Sequence, residues 1–267
     1  MTTKQAPEKA EQNLVITSFP ETGIALLQLN RPEALNALNM ATRKALADAF
    51  IALHDRSDIR CIILTGDDKA FAAGADLKEM VDASTVEMVR RRSERYWQAV
   101  SSTPQPVIAA IRGFALGGGL ELAMACDLII AGENAQLGQP EIRVGIIPGA
   151  GGTQRLTRAV GKFNAMKITL LGKPFSGVEA HAMGLACSVV GDDQVMEEAL
   201  GMARTISRMP PLAAQAIKEA VIHGESASLE TGLLLERRLN HMLFATDDQK
   251  EGMTAFIEKR RPQYRGS

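Results

Sequence analysis

This 267-residue chain has no excess charge of either sign: 30 Lys and Arg stand against 31 Asp and Glu, a formal charge of −1. That balance argues against a dedicated nucleic-acid binder, which carries a basic excess. Cysteine is scarce. Cys61, Cys126 and Cys187 are far apart, form no CxxC pair and are odd in number, which suits a reducing compartment better than a disulfide scaffold. The four histidines, His54, His181, His223 and His241, show neither HxxxH nor HExxH spacing, so no zinc site is readable. No uncharged apolar run reaches membrane length. The best stretch, residues 114–131, is broken by Glu121, Asp127 and three consecutive glycines, which argues against a membrane span. Residues 1–12 are polar and lack the apolar segment of a signal peptide. The default expectation is a soluble cytoplasmic protein.

Hydrophobic residues make up 46% of the chain and charged residues 23%, values that exclude wholesale disorder. The length suits one or two domains with a sizeable core. Strand-like runs are expected over 13–18 and 23–29. A helix is expected from about Asn39, with Leu46, Ala49, Phe50 and Leu53 on one face. A buried strand over 60–65, a Gly/Ala-rich loop over 66–76 and a polar helix through 90–97 follow. A second cycle places strands at 107–111 and 128–131, with a glycine turn entering a helix at 117–126. Strands alternating with helices predict an α/β architecture with parallel pairing. Beyond about 195 the pattern is helical: 195–208, 211–223, 229–244 and 248–259. No sequence repeat of 20–50 residues is visible.

Four segments carry possible chemistry. Residues 70–77, AFAAGADL, put small side chains where a strand hands over to a helix, so that backbone can approach a ligand closely or simply pack tightly. Residues 113–123, GFALGGGLELA, place three glycines before an apolar helix. They match neither GxGxxG nor a P-loop. Free N–H groups at such a helix start suit an anion or a developing oxyanion. Glu121 stands within that apolar run, where a carboxylate is costly unless paired, exposed or used. In Gly138-Gln139-Pro140-Glu141, a Glu follows Pro at a strand-to-helix turn. Residues 145–155, GIIPGAGGTQR, form a glycine-dense loop that suits either anion cradling or close backbone packing. Taken together, two carboxylates and two glycine-flanked N–H sites describe one workable site. The amides would polarise a carbonyl and the acids would move protons at adjacent carbons.

The ordered set Asn30-Arg31-Pro32, Asn36-Ala37-Leu38, Phe71-Ala72-Ala73-Gly74-Ala75-Asp76-Leu77, Gly117-Gly118-Gly119-Leu120-Glu121, Gly138-Gln139-Pro140-Glu141 and Gly145 to Thr153 resembles the enoyl-CoA hydratase (crotonase) family. The resemblance spans about residues 13–265. It implies an α/β fold in which a spiral of ββα units over 13–195 carries the CoA and active sites. Residues 196–267 would form a helical trimerisation region, and residues 1–12 a disordered tail. It implies a homotrimer, or a hexamer of two trimers, acting on an acyl-CoA without a metal or cofactor, the CoA thioester being the substrate. By resemblance, Ala75 and Gly118 would supply the oxyanion-hole amides, and Glu121 and Glu141 the paired acid/base carboxylates. Ala34, Ala73, Asp76, Leu77 and Lys259 would contact CoA, Lys259 across a subunit boundary. Met80, Tyr96 and Trp97 fall near the segment that shapes the acyl tunnel in relatives, or else in the core.

The implied reaction adds water across the 2,3 double bond of a trans-2-enoyl-CoA, in fatty-acid or aromatic-derived acyl-CoA degradation. The alternative is a Δ3,Δ2-enoyl-CoA isomerase, which needs only one base, whereas this chain keeps both Glu residues. A non-catalytic RNA-binding relative is a distant third reading. Arg90-Arg91-Arg92 and Arg95 would serve it, and the charge of −1 weighs against it.

Overall fold

The computed structural model describes residues 13–267; the tail expected over residues 1–12 lies outside the described residues. Strands β1 (Val15–Glu21) and β2 (Ile24–Leu29) pair antiparallel. Helix α1 (Met40–His54) starts where expected, because the Asn39 side chain accepts from the Thr42 amide at 2.8 Å and caps it. Its Leu46, Phe50 and Leu53 are buried. Strands β3 (Cys61–Thr65) and β4 (Ala70–Ala72) lead to α2 (Thr85–Arg91) and α3 (Glu94–Ser101). Strands β5 (Val107–Ile111) and β6 (Phe114–Leu116) lead to α4 (Gly118–Ala123). Strands β7 (Leu128–Gly132) and β8 (Gln136–Gly138) lead to α5 (Gly152–Leu171), which kinks at Gly161. Strand β9 (Phe175–Ser176), α6 (Gly177–Ala182), β10 (Ser188–Val190) and helices α7 (Val195–Ser207), α8 (Pro211–Glu225), α9 (Leu229–Leu243) and α10 (Asp247–Ile257) complete the chain.

Two sheets result. The larger runs β1-β2-β3-β5-β7-β10 and is parallel beyond the first pair. The smaller runs β4-β6-β8-β9. The cycles β3-β4, β5-β6 and β7-β8 therefore each send one strand to each sheet before a helix. That repeat is spatial, and its three-residue strands leave no matching sequence period.

Both faces of the larger sheet are covered over β3, β5 and β7, so those strands are apolar without alternation. One face carries Ile62, Leu64, Ala109 and Ile129 into the main core with Phe50, Phe71 and Leu120. The other packs Ile24, Cys61, Ile63, Ile108 and Ile130 against Val195, Ala199 and Ala203 of α7. Helix α8 is tied to this body by Lys218, which pairs with Asp127 at 2.7 Å and donates to the Gln105 carbonyl at 3.0 Å.

The helix expected through 90–97 is two helices. A capping box of Ser84 and Glu87 starts α2, and Arg92 ends it in the left-handed region at φ 44°. The redirected chain lets α3 bury Trp97 and Val100, while Val86 and Val89 of α2 stay exposed. The loop expected over 66–76 contains β4, the strand expected before the turn at Pro140–Glu141 is β8, and no strand was expected at β6.

Candidate active site

The smaller sheet places the site. Strands β4, β6 and β8 are parallel neighbours, so the segments that follow them leave from the same edge of the sheet, where strand ends gather ligand-binding loops. Those segments are Ala73-Gly74-Ala75, Gly117-Gly118 and Gln139-Pro140-Glu141. Strand β6 turns into α4 through Gly117, whose φ of 49° and ψ of −121° suit glycine alone. A Cβ on Gly117 would also come within 2.9 Å of Glu141 Oε1. Two residues on, a Cβ on Gly119 would be driven onto the Ala72 carbonyl oxygen. Because that oxygen is backbone, Gly119→Ala should cost about 1–3 kcal/mol or more, read as a lower urea midpoint with an unchanged slope.

This packing brings two amides together. A Cβ built on Gly118 would lie 3.6 Å from the Ala75 nitrogen, and one on Gly74 3.8 Å from the Gly118 nitrogen. Among the described residues, neither the Ala75 nor the Gly118 amide donates to a turn, loop or side-chain acceptor. Ala75 is held from behind: Leu38 bridges it, and the Leu38 amide donates to Gly74 O at 2.7 Å.

The two acids meet beside these amides. Glu121 of α4 is 4% exposed. Its Oε1 accepts from the Ala150 and Gly152 amides, both at 2.7 Å. The glycine-dense loop does cradle an anion, and that anion is the chain's own Glu121. Burial pushes the Glu121 pKa up, and the two amide bonds oppose the rise. Glu141 is half-buried at the start of a short 3-10 turn after Pro140. Burial raises its pKa from 4.5 to about 7, with the Glu121 charge adding to the rise. Gln139 stands between them. With its amide nitrogen toward Glu141, it donates to Oε1 at 2.9 Å and Oε2 at 3.1 Å. A single point, a Cβ on Gly152, would be 3.0 Å from both the Gln139 amide and Glu121 Oε1.

The residues assigned to CoA fall into two regions. Ala34, in the turn Pro32–Ala34, is followed by Leu35, whose carbonyl accepts from the Ala73 amide at 3.0 Å. Ala34, Ala73, Asp76 and Leu77 therefore occupy adjoining loops. Asp76 is already engaged: it pairs with Arg31 at 2.8 Å and caps the turn Leu77–Glu79, and the Arg31 bond holds its pKa below the ordinary carboxylate value. Lys259 is exposed in a left-handed turn after α10. Among the described residues, no cluster of three or more His, Cys, Asp or Glu side chains is placed to hold a metal.

The sequence reading missed Gln139 as a participant, and also the Ala150 and Gly152 amides as the seat of Glu121. The signal for the second was present, a carboxylate in an apolar helix and an anion-binding loop without an anion. Nothing local joined them across a sequence separation of 31.

A profile of the family described as enoyl-CoA hydratase/isomerase matches residues 20–267. A probable enoyl-CoA hydratase of Mycobacterium tuberculosis is 49% identical over 241 residues, covering 90% of this chain and 94% of that one. The 2,3-dehydroadipyl-CoA hydratase of Escherichia coli is 43% identical over 91% of this chain and 95% of its own. The crystal structure of enoyl-CoA hydratase from Bacillus anthracis superposes with a TM-score of 0.91 at 38% identity, over 95% of this chain and 100% of that one.

Proposed function

This chain belongs to the enoyl-CoA hydratase/isomerase family and is an enoyl-CoA hydratase; from that premise we propose that Glu121 and Glu141 add water to a 2-enoyl thioester held by the Ala75 and Gly118 amides. The observation that carries this reading is the approach of a buried carboxyl, Glu121, and a half-buried one, Glu141, on the two sides of Gln139, with Glu141 beside the turn that leads to the Gly118 amide. The thioester oxygen gains negative charge as water attacks C3. Two fixed N–H donors stabilise that charge without reorganising, an effect worth about 3–4 kcal/mol per donor in other acyl-transfer sites.

The acids divide the proton work by environment. Two carboxyls in a confined pocket resist double ionisation. Glu121 receives two amide donors, so it holds the negative charge and takes the proton of the attacking water. Glu141 has the higher proton affinity and delivers its proton to C2. Water loses one proton and C2 gains one, so the pair returns to its starting charge after the two sites re-equilibrate. All steps use side-chain protons and backbone donors, with the CoA thioester as substrate. Ala34, Ala73 and Leu77 line the CoA path in this reading, and Lys259 reaches the CoA of a neighbouring copy.

The reading has a direct test: loss of the crotonyl-CoA enone absorbance on adding the purified chain. Failure to hydrate crotonyl-CoA, with turnover of a 3-enoyl-CoA, would make the chain an isomerase instead.

A pH prediction follows from Glu141. Ionising it removes the proton donor, so kcat/KM for hydration should fall as pH rises through about 7. Dehydration should share that limb, since both directions draw on the singly protonated pair and the net reaction releases no proton. The raised pKa also affects folding. The folded chain holds a proton at Glu141 that the unfolded chain releases, so this group's contribution is present below 4.5 and lost toward about 7.

Exposed apolar side chains on the helices support a homotrimer, or a hexamer of two trimers. Phe163 on α5 and Phe256 on α10 are 85% and 87% exposed, apolar surface that a subunit contact would cover. Light scattering on an eluting peak would separate monomer, trimer and hexamer.

A further inference from the structure

Arg155 lies within the first residues of α5, which begins at Gly152. A cation so close to a helix N-terminus runs against the helix dipole, and no acidic residue stands in that first turn to offset it. The side chain is half-buried, and its Nη1 turns back to donate to the Ala150 carbonyl at 3.0 Å. Gly151 leaves room for this return: its φ is 110°, and a Cβ there would fall on Arg155 Nη1.

This bond closes on the seat of Glu121. Ala150 accepts from Arg155 through its carbonyl and donates through its amide to Glu121 Oε1 at 2.7 Å. Gly152 supplies the second amide, also at 2.7 Å. The loop before them is lightly anchored. The Ile146 amide donates to the Glu141 carbonyl at 3.3 Å, Ile147 is exposed, and a Cβ on Gly149 would meet nothing within 4 Å. Fixing Ala150 therefore fixes Glu121 relative to Glu141. Charge acts in the same sense. Burial pushes the Glu121 pKa up; the Gly152 and Ala150 amides, then Arg43 of α1 and Arg155 through space, pull it down. The remaining charged group that faces it is Glu141, which feels the Glu121 charge in turn.

We propose that Arg155 is a positioning residue for hydration that acts through Glu121: its bond holds the Ala150 end of the loop, and its charge favours the carboxylate seated there. The inference rests on the reading of Glu121 as the group that activates water. Arg155→Gln removes the charge and keeps a shorter donor, whereas Arg155→Lys keeps the charge without the fork. Arg155→Gln should lower kcat for crotonyl-CoA about tenfold or more, the scale on which small misplacements of a reacting group act, with KM changed less than about twofold, since Arg155 has no part in thioester binding. As pH drops, its kcat/KM should also fail at a higher pH than the parent's, because Glu121 without the cation takes up a proton sooner. Arg155→Lys should recover most of the rate and return that acid limb toward the parent's. The decisive comparison is a double-mutant cycle. In a Glu121→Gln background, where no carboxylate remains for Arg155 to act on, Arg155→Gln should cost less than about twofold. An equal loss in both backgrounds, the mark of a merely structural role, or an acid limb unmoved in Arg155→Gln, would overturn the proposal. If Arg155→Gln does not fold, Arg155→Lys carries the cycle, and its smaller loss should likewise vanish beside Glu121→Gln. Near-parental turnover by Glu121→Gln alone would instead overturn the reading of Glu121 and this inference with it.

Discussion

Glu141→Gln is expected to lower crotonyl-CoA hydration at least about a hundredfold, the usual size of a lost general acid. The amide matches the carboxyl in shape but has no proton to give to C2. The Gln139 nitrogen, 2.9 Å and 3.1 Å from the two Glu141 oxygens, can still bond the new side chain's oxygen, so the pocket should keep its shape. KM should change little, because Glu141 contributes no thioester-binding amide. The falling limb near pH 7 should vanish with the side chain that titrates there. Near-parental turnover with an unchanged circular dichroism spectrum would remove Glu141 from the mechanism.

Glu121→Gln should cost a comparable factor by a different route. The Gln oxygen can accept the Ala150 and Gly152 amides that now bond Glu121 Oε1 at 2.7 Å. The loop over 145–152 therefore stays seated, and what is lost is the negative charge that draws a proton from water. Removing it also removes a charge that raises the Glu141 pKa. The residual activity of the variant should thus fall off at a lower pH than the parent's, as Glu141 ionises sooner. A limb that stays near 7 would mean the two acids are not coupled. Glu121→Ala is a harsher test, since it also strips the acceptor from two amides, and a loss of stability there would report the seat and not the chemistry.

Much of this fold was legible from the sequence. Asn39 announces α1 as a cap, the apolar run at 107–111 is β5, and the starts of α7, α8 and α9 fall where expected. These elements are long enough for periodicity or burial to mark them. The smaller sheet was not legible, because Ala70–Ala72, Phe114–Leu116 and Gln136–Gly138 are three residues each and too short to show a period of two. The break at Arg92 carries no proline or glycine, so only the burial of Trp97 explains it. Of the site, Glu121 and Glu141 were identified from residue type in context and from a resemblance. Gln139 was hidden because an amide beside a proline reads as a turn residue, and its role exists only once Glu141 folds back toward it.

The arrangement of β4, β6 and β8 has a consequence for how activity fails. The proposed oxygen-binding amides and the proposed proton donor follow the ends of three adjacent strands, joined by pairs such as Ala72 with Ala115 and Leu116 with Gly138. A disturbance of any strand shifts its neighbours in concert. Damage at Gly138, where an added methyl would press on Pro174 Cα at 3.3 Å and whose carbonyl accepts from the Gly117 amide, should therefore blunt substrate grip and proton delivery together. Lesions in this ladder would be recognised by that joint decline, whereas lesions in the individual acids would spare grip.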